Sequence, residues 1–396
     1  MPAPLHRPPH HRGRRTALVG LLALVAALLV PFLGTGTANA AASPQAEAAS
    51  SWLASLVGPD GSVDDPYSGN PSLTWTTNVA LSLATTGNEP AALQRALGHL
   101  AINVDGYIAE GTSDPAGRLS WLILLVDATG GNPRAFGGHD LVTDLQSRYG
   151  VAEPGLYGVI DDYTPVTNQA LALLALTAAG VTPPSAAIDW LVAQQCSAPA
   201  SAAGAWEGYR APAVPGPGLE PCGESLSTNY TSADSNSTAF AVQALVAVRH
   251  SGPVPGALAW FHGMQDTTAG AAVGGFGQRP GDSSDPNSTA LVIQAIVAAG
   301  QSPTAAGWAT GGGNPLSSLL SWIVPSGAEA GALSSPYSAG FADTFATYQG
   351  VWGLAQAAFP LPVPTPTGPT ATTTPAGPTT DPAAVNAVTV SPAFTG

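Results

Sequence analysis

Two stretches decide how the whole chain is read: Asp234–Val248 (DSNSTAFAVQALVAV) and Asp285–Ala299 (DPNSTALVIQAIVAA). Each opens with D-x-N-S-T-A, small polar residues suited to capping the free N–H groups of a first helical turn. Each then runs Ala, Val, Leu and Ile around every side of the helix. A helix that is apolar all round is buried on all sides, whereas an amphipathic one lies on a surface.

Working outward, related helices are expected near Trp75–Thr85, Pro115–Ala128, Val166–Ala179, Asn236–Val248, Asn287–Ala299 and Asp343–Ala358. More polar partners lie near Pro44–Leu56, Ala91–Ile102, Asp140–Arg148, Ser185–Gln195, Pro255–Gln265 and Pro315–Val324. Gly87, Gly130, Gly180 and Gly300 follow inner helices as C-terminal stops. A helical hairpin cannot bury its apolar face alone, so six of them between Ala46 and Ala358 imply stacking into two concentric rings. No convincing strand pair is present, and the fold class is all-α.

The flanks are of a different kind. Residues 1–40 read as an export signal: Arg7, Arg12, Arg14 and Arg15, an apolar run from Thr16 to Leu33, and Ala38-Asn39-Ala40 as a cleavage triplet. The domain is expected over 41–359. Residues 360–396 form a Pro- and Thr-rich tail of the disordered type. After residue 40 the chain has seven Arg, no Lys and all 25 acidic residues, a net charge of −18. Phosphate backbones and anionic lipids need a basic footprint, so nucleic acid and membrane docking are excluded as partners. Cys196 and Cys222 are the only cysteines, and in an exported chain they are expected to pair.

Trp190…Gln195…Gly204-Ala205-Trp206 and Trp260…Gln265…Gly274-Gly275-Phe276 resemble the QW-type repeat of squalene and hopene cyclases. Through it the chain resembles the terpenoid cyclase and protein prenyltransferase α/α-toroid superfamily. The resemblance implies an α6/α6 barrel with a central, largely apolar cavity. That superfamily also includes cobalamin carriers and thioester domains.

The relatives' catalytic groups can be sought one by one. Cyclases protonate an alkene with the central acid of D-x-D-D-T-A; here Asn236 and Asn287 stand at that place, and an amide has no acidic proton to give. Zinc in the prenyltransferases needs three placed ligands, and His99, His139, His250 and His262 are scattered. The thioester motif G-C-G-E-Q is approached by Cys222-Gly223-Glu224, but Ser225 replaces the essential Gln. Asp60-Gly-Ser62-Val-Asp64-Asp65 resembles a calcium loop without its distal Glu and reads as a tight turn. Three carboxylates remain as weak catalytic candidates: Asp161, Asp162 and Asp343. Asn236, Asn287, Trp75, Trp206, Phe276 and Trp352 are candidates for ligand contact.

With the catalytic groups missing and the frame kept, the sequence leads to a secreted, monomeric, non-catalytic toroid. Its expected ligand is an apolar small molecule, a corrinoid-like group or a cell-wall component; no metal and no firm cofactor are expected. The alternatives are a divergent terpenoid cyclase, or a wall module whose cavity is filled by side chains.

Overall fold

The computed structural model describes residues 42–110, 114–159, 165–208, 222, 233–338 and 340–363. In chain order the elements are α1 (Pro44–Ser55), β1 (Val63–Asp64), β2 (Pro71–Ser72), α2 (Leu73–Thr86), α3 (Pro90–Ile102), α4 (Val104–Ala109), α5 (Ala116–Ala128), α6 (Leu141–Gln146), α7 (Pro165–Ala178), α8 (Ser185–Ala193), β3 (Trp206–Glu207), β4 (Ala233–Asp234), α9 (Ser235–Ala247), α10 (Val254–Met264), α11 (Pro286–Ala298), α12 (Pro315–Leu320) and α13 (Thr344–Leu354). The strands form two antiparallel pairs, β1 with β2 and β3 with β4, each two residues long.

The inner ring is α2, α5, α7, α9, α11 and α13. Each packs on the next, and α13 returns to α2. Outside it, α3, α6, α8, α10 and α12 lie on α2, α5, α7, α9 and α11. The sixth outer helix is α1, which packs on α13, the last inner one. The Ser43 hydroxyl also donates to the Leu354 carbonyl at 3.1 Å, so the two ends of the domain staple the ring shut. The fold is an α6/α6 toroid, as expected.

Side chains that the repeats share hold hairpin to hairpin. Asp234, Asp285, Asp343 and Ser72 cap inner helices through backbone N–H groups in the first turn. Four residues after each cap stands a threonine. Thr238, Thr289, Thr347 and Thr76 accept the N–H of Trp206, Phe276, Leu333 and Val63 at 2.9–3.0 Å. The incoming loop is thus tied to the helix it precedes, and a buried N–H is satisfied. Gln195 donates to the Gly204 and Pro253 carbonyls, and Gln265 does the same to Gly274 and Trp308. Both glutamines belong to the segments that resemble the QW-type repeat. Cys196 and Cys222 are disulfide-bonded.

Two details depart from the expected helices. The short α4 is an extra element. The last inner helix stops at Leu354, and Gln356 takes a left-handed φ of 49°. The chain then turns inward, and Phe359 and Leu361 are buried. Within α13, a Cβ on Gly353 would fall 2.7 Å from the Ala290 Cα, so glycine is what lets α13 approach α11 this closely.

Candidate functional site

The ring axis is filled with aromatic rings. Trp121 of α5 stacks on Trp352 of α13 at 5.7 Å and meets Phe240 of α9 edge-on at 5.8 Å. In the inner ring these three helices alternate with α2, α7 and α11, so their mutual contact must cross the centre. Phe359 closes the same cluster, 5.1 Å from Trp352 and 5.8 Å from Trp121. Its segment is clamped by two glutamines at equivalent positions of their repeats. Gln243 Oε1 accepts the Phe359 N–H at 2.9 Å, and Gln294 Nε2 donates to the Ala357 carbonyl at 2.6 Å. The protein's own rings therefore take up part of the apolar cavity implied by the resemblance. Side-chain volume explains the difference: inward-facing Trp and Phe take the space that smaller residues would leave open.

An open cleft of about 920 Å³ lies instead on the rim where inner helices begin. It is lined by the first residues of α9, α11 and α13 and by three loops: Asn236, Asn287, Asp285, Asp343 and Phe345 from or beside the helices, Gln278, Arg279 and Asp282 from one loop, and Tyr67 and Tyr337 from one each of the other two. Asn287 Nδ2 donates to Gln349 Oε1 at 3.0 Å, which fixes its amide. Asp285 accepts both the N–H and the hydroxyl of Ser288 at 2.8 Å. Burial pushes its carboxyl above the usual range despite those two bonds. Behind the rim, Asp234 is almost fully buried, and burial pushes its carboxyl up to about 6.

The structure thus brings together Asn236, Asn287 and Asp343 among the sequence-derived candidates. Trp75 lies just beneath the cleft, and Trp352 sits in the axis. Trp206 and Phe276 do not reach the cleft: both are fully buried between the two rings. Trp206 Nε1 donates to the Leu191 carbonyl of α8, and Phe276 packs on Phe261 of α10. An aromatic after a Gly-rich turn reads in sequence like a ligand contact, but here it wedges outer helix to inner helix. Asp161 and Asp162 lie outside the described residues. Asp60 accepts the N–H and hydroxyl of Ser62, which is a tight turn. Cys196, Cys222 and Glu207 come within metal-ligand distance of one another, but the two sulfurs are bonded to each other and are not thiolate ligands. Sequence reading missed Tyr67, Arg279, Asp282 and Tyr337; all four sit on loops, where no periodicity marks them.

No protein-family profile matches the chain, and no curated protein matches it. Solved structures do match in fold. The α-1,6-mannanase GH76A of Salegentibacter sp. HEL1_6 is 11% identical, with a TM-score of 0.53 over 79% of this chain and 97% of that one. An inactive variant of that mannanase, with two neighbouring aspartates replaced, is known in complex with α-1,6-mannotriose. The type II terpene cyclase MstE from Scytonema is 16% identical, with a TM-score of 0.50 over 78% of this chain and 96% of that one. At these identities the likeness establishes the α/α-toroid architecture.

The expectation of a non-catalytic carrier is corrected. The matching toroids are enzymes. In this chain Trp121 and Trp352 stack across the centre that a carrier would use, while an open, acid-lined cleft lies on the rim.

Proposed function

We propose that this protein is an exported enzyme of the glycoside hydrolase type, acting on a polar oligosaccharide bound in the rim cleft. The observation that carries the reading is Asp285, a carboxyl held toward its protonated form by burial, on the wall of an open polar cleft. Glycosidic cleavage needs a protonated carboxylic acid beside the leaving oxygen and a second carboxylate. Asp285 supplies the acid. The chain has two neighbouring aspartate pairs from which the second can come. Asp65 of the pair Asp64–Asp65 is committed to a turn, accepting the Tyr67 N–H at 2.8 Å. Asp161–Asp162 stand just before α7 in sequence, with two residues between. The first turn of α7 meets the first turn of α9, where Thr167 and Ser237 share a hydroxyl contact of 3.4 Å. The inactive mannanase variant, with its neighbouring aspartates changed, supports giving Asp161–Asp162 the catalytic part. Asn236, Asn287 and Arg279 present amide and guanidinium donors to sugar hydroxyls.

The amino-terminal signal, the Cys196–Cys222 bridge and the Pro/Thr-rich tail support work outside the cell, on a substrate of the surface or medium. A cyclase reading has one observation for it, the buried Asp234 at the head of D-x-N-S-T-A. The rings that fill the axis weigh against a polyprenyl chain being held there.

The test is product analysis on α-1,6-mannan, a panel of other glycans, and squalene with shorter polyprenyl substrates. Hydrolysis of a glycan is expected. It should fall by about 10²–10⁴-fold in Asp285→Asn, the usual worth of a general acid, fall as far in the Asp161→Asn/Asp162→Asn double variant, and persist in Asp64→Asn/Asp65→Asn. Cyclised polyprenyl product without glycan cleavage would replace this reading with the cyclase one.

A further inference from the structure

We infer that Tyr67 and Phe345 form a stacking platform for the pyranose rings of an oligosaccharide, so that affinity rises with chain length; this rests on the rim cleft being the glycan site proposed above. Scattered exposed apolar residues are ordinary on a protein surface. Here three exposed aromatics surround one cleft: Tyr67 at 81% exposure, Tyr337 at 96% and Phe345 at 40%. They share it with the carboxylates Asp282 and Asp343 and the guanidinium of Arg279. A pyranose matches that mixture, because its C–H face is apolar and its edge carries hydroxyls. A lipid chain would need a continuous apolar wall, and a nucleic acid would meet a net charge of −18 in the domain and tail.

The footing of the rings separates two of them from the third. Tyr67 comes from the loop between β1 and β2, and Phe345 from the first turn of α13. Both rest on the same half-buried ring, Trp75, at 6.1 and 6.3 Å. Phe345 also meets Tyr348 at 5.3 Å, and Tyr348 meets Trp352 at 5.3 Å. The platform is therefore the exposed end of the aromatic column that fills the axis. Phe345 is held by two ring contacts and Tyr67 leans on one before a ligand arrives, which removes part of the ordering cost of binding. The cleft, at the upper end of the roughly 300–1,000 Å³ range of small-molecule sites, has room for more than one sugar ring.

The experiment is calorimetric titration of the full chain with di-, tri- and tetrasaccharides of the α-1,6-mannose series and of the gluco and xylo series, with tryptophan emission as a second readout of the ring packed under the platform. Affinity in at least one series is expected to rise with length. Tyr67→Ala and Phe345→Ala should each lower tetrasaccharide affinity about tenfold, which is about 1.4 kcal/mol. Tyr67→Phe should bind as wild type; it and Tyr67→Ala should melt close to wild type, while Phe345→Ala, which empties a partly buried ring site, should stay folded with a lowered melting temperature. Length-independent binding, wild-type affinity in both alanine variants, or no binding of any sugar would overturn the platform. The two readings fail separately. Sugar bound through these rings but never cleaved defeats the hydrolase and leaves the platform standing. Cleavage with KM unchanged in both alanine variants defeats the platform and leaves the hydrolase.

Discussion

The same inner helices behave differently at their start and along their length. At the start, residues such as Asp285, Asn287 and Asp343 satisfy N–H groups or project into solvent, and the space between them stays open. One or two turns on, Phe240 meets Trp121 and Tyr348 meets Trp352, and aromatic rings pack against one another. Helix starts must be polar, because their first N–H groups have no partner within the helix. Helix middles carry no such debt and can be wholly apolar. This toroid therefore has an open polar cleft at a rim of caps and a cluster of packed rings on its axis.

The sharpest way to break that division is to hollow out the axis. Trp352 is fully buried, touches Trp121, Tyr348 and Phe359, and has an Nε1–H with no partner among the described residues. Trp352→Ala should destabilise the protein by about 3–5 kcal/mol, the usual cost of emptying a large aromatic site. Trp352→Phe should cost clearly less, because it keeps a ring and removes the unpartnered donor. Urea denaturation of both variants measures this. A loss under about 1 kcal/mol in the alanine variant would mean that the axis is not where stability resides.

Asp234 lies between the two regions, a cap by position but nearly as buried as the axis. Burial moves its carboxyl from the ordinary 3.8 to about 6. Between those values the folded protein keeps a proton that the unfolded chain releases. This contribution therefore falls as pH rises through about 4 to 6, and the protein is left about 3 kcal/mol less stable above that window than below it. Asn caps as well as Asp and carries no charge. Asp234→Asn should thus raise stability above pH 6 and flatten this segment of the pH profile, read by denaturation at pH 4, 6 and 8. An unchanged profile would show that Asp234 is not buried as a neutral acid.

How much of this was legible in the sequence follows the same line. The caps and stops that bound the inner helices are local signals, and D-x-N-S-T-A read directly as helix starts. The threonine four residues after each cap was visible as a repeat, but its role was not, since the N–H it accepts comes from a loop 13 or more residues away in sequence. The filling of the axis was hidden for a different reason. On a helix that is apolar all round, no periodicity tells which face turns inward, so Trp352 read as a possible ligand contact rather than as packing. Phe359 was hidden because it stands after the last expected helix and just before the tail, where no periodicity assigns it a face. The cleft was half legible: Asn236, Asn287 and Asp343 sit on helix starts, whereas Tyr67 and Tyr337 become neighbours only through the closure of the ring.

The smallest expected effect bears on the rim itself. Tyr337 lines the cleft at 96% exposure, and its ring contacts no other ring among the described residues. Its replacement removes almost no buried surface, so Tyr337→Ala should shift stability by less than about 0.5 kcal/mol. If a fixed footing is what makes a ring useful to a ligand, Tyr337→Ala should also cost less tetrasaccharide affinity than Tyr67→Ala, because a free side chain loses more freedom when it is pinned. Calorimetry on the two variants side by side decides the point. An equal or larger loss from Tyr337 would show that the rim recruits its rings on contact, and that the aromatic column beneath Tyr67 and Phe345 serves the fold alone.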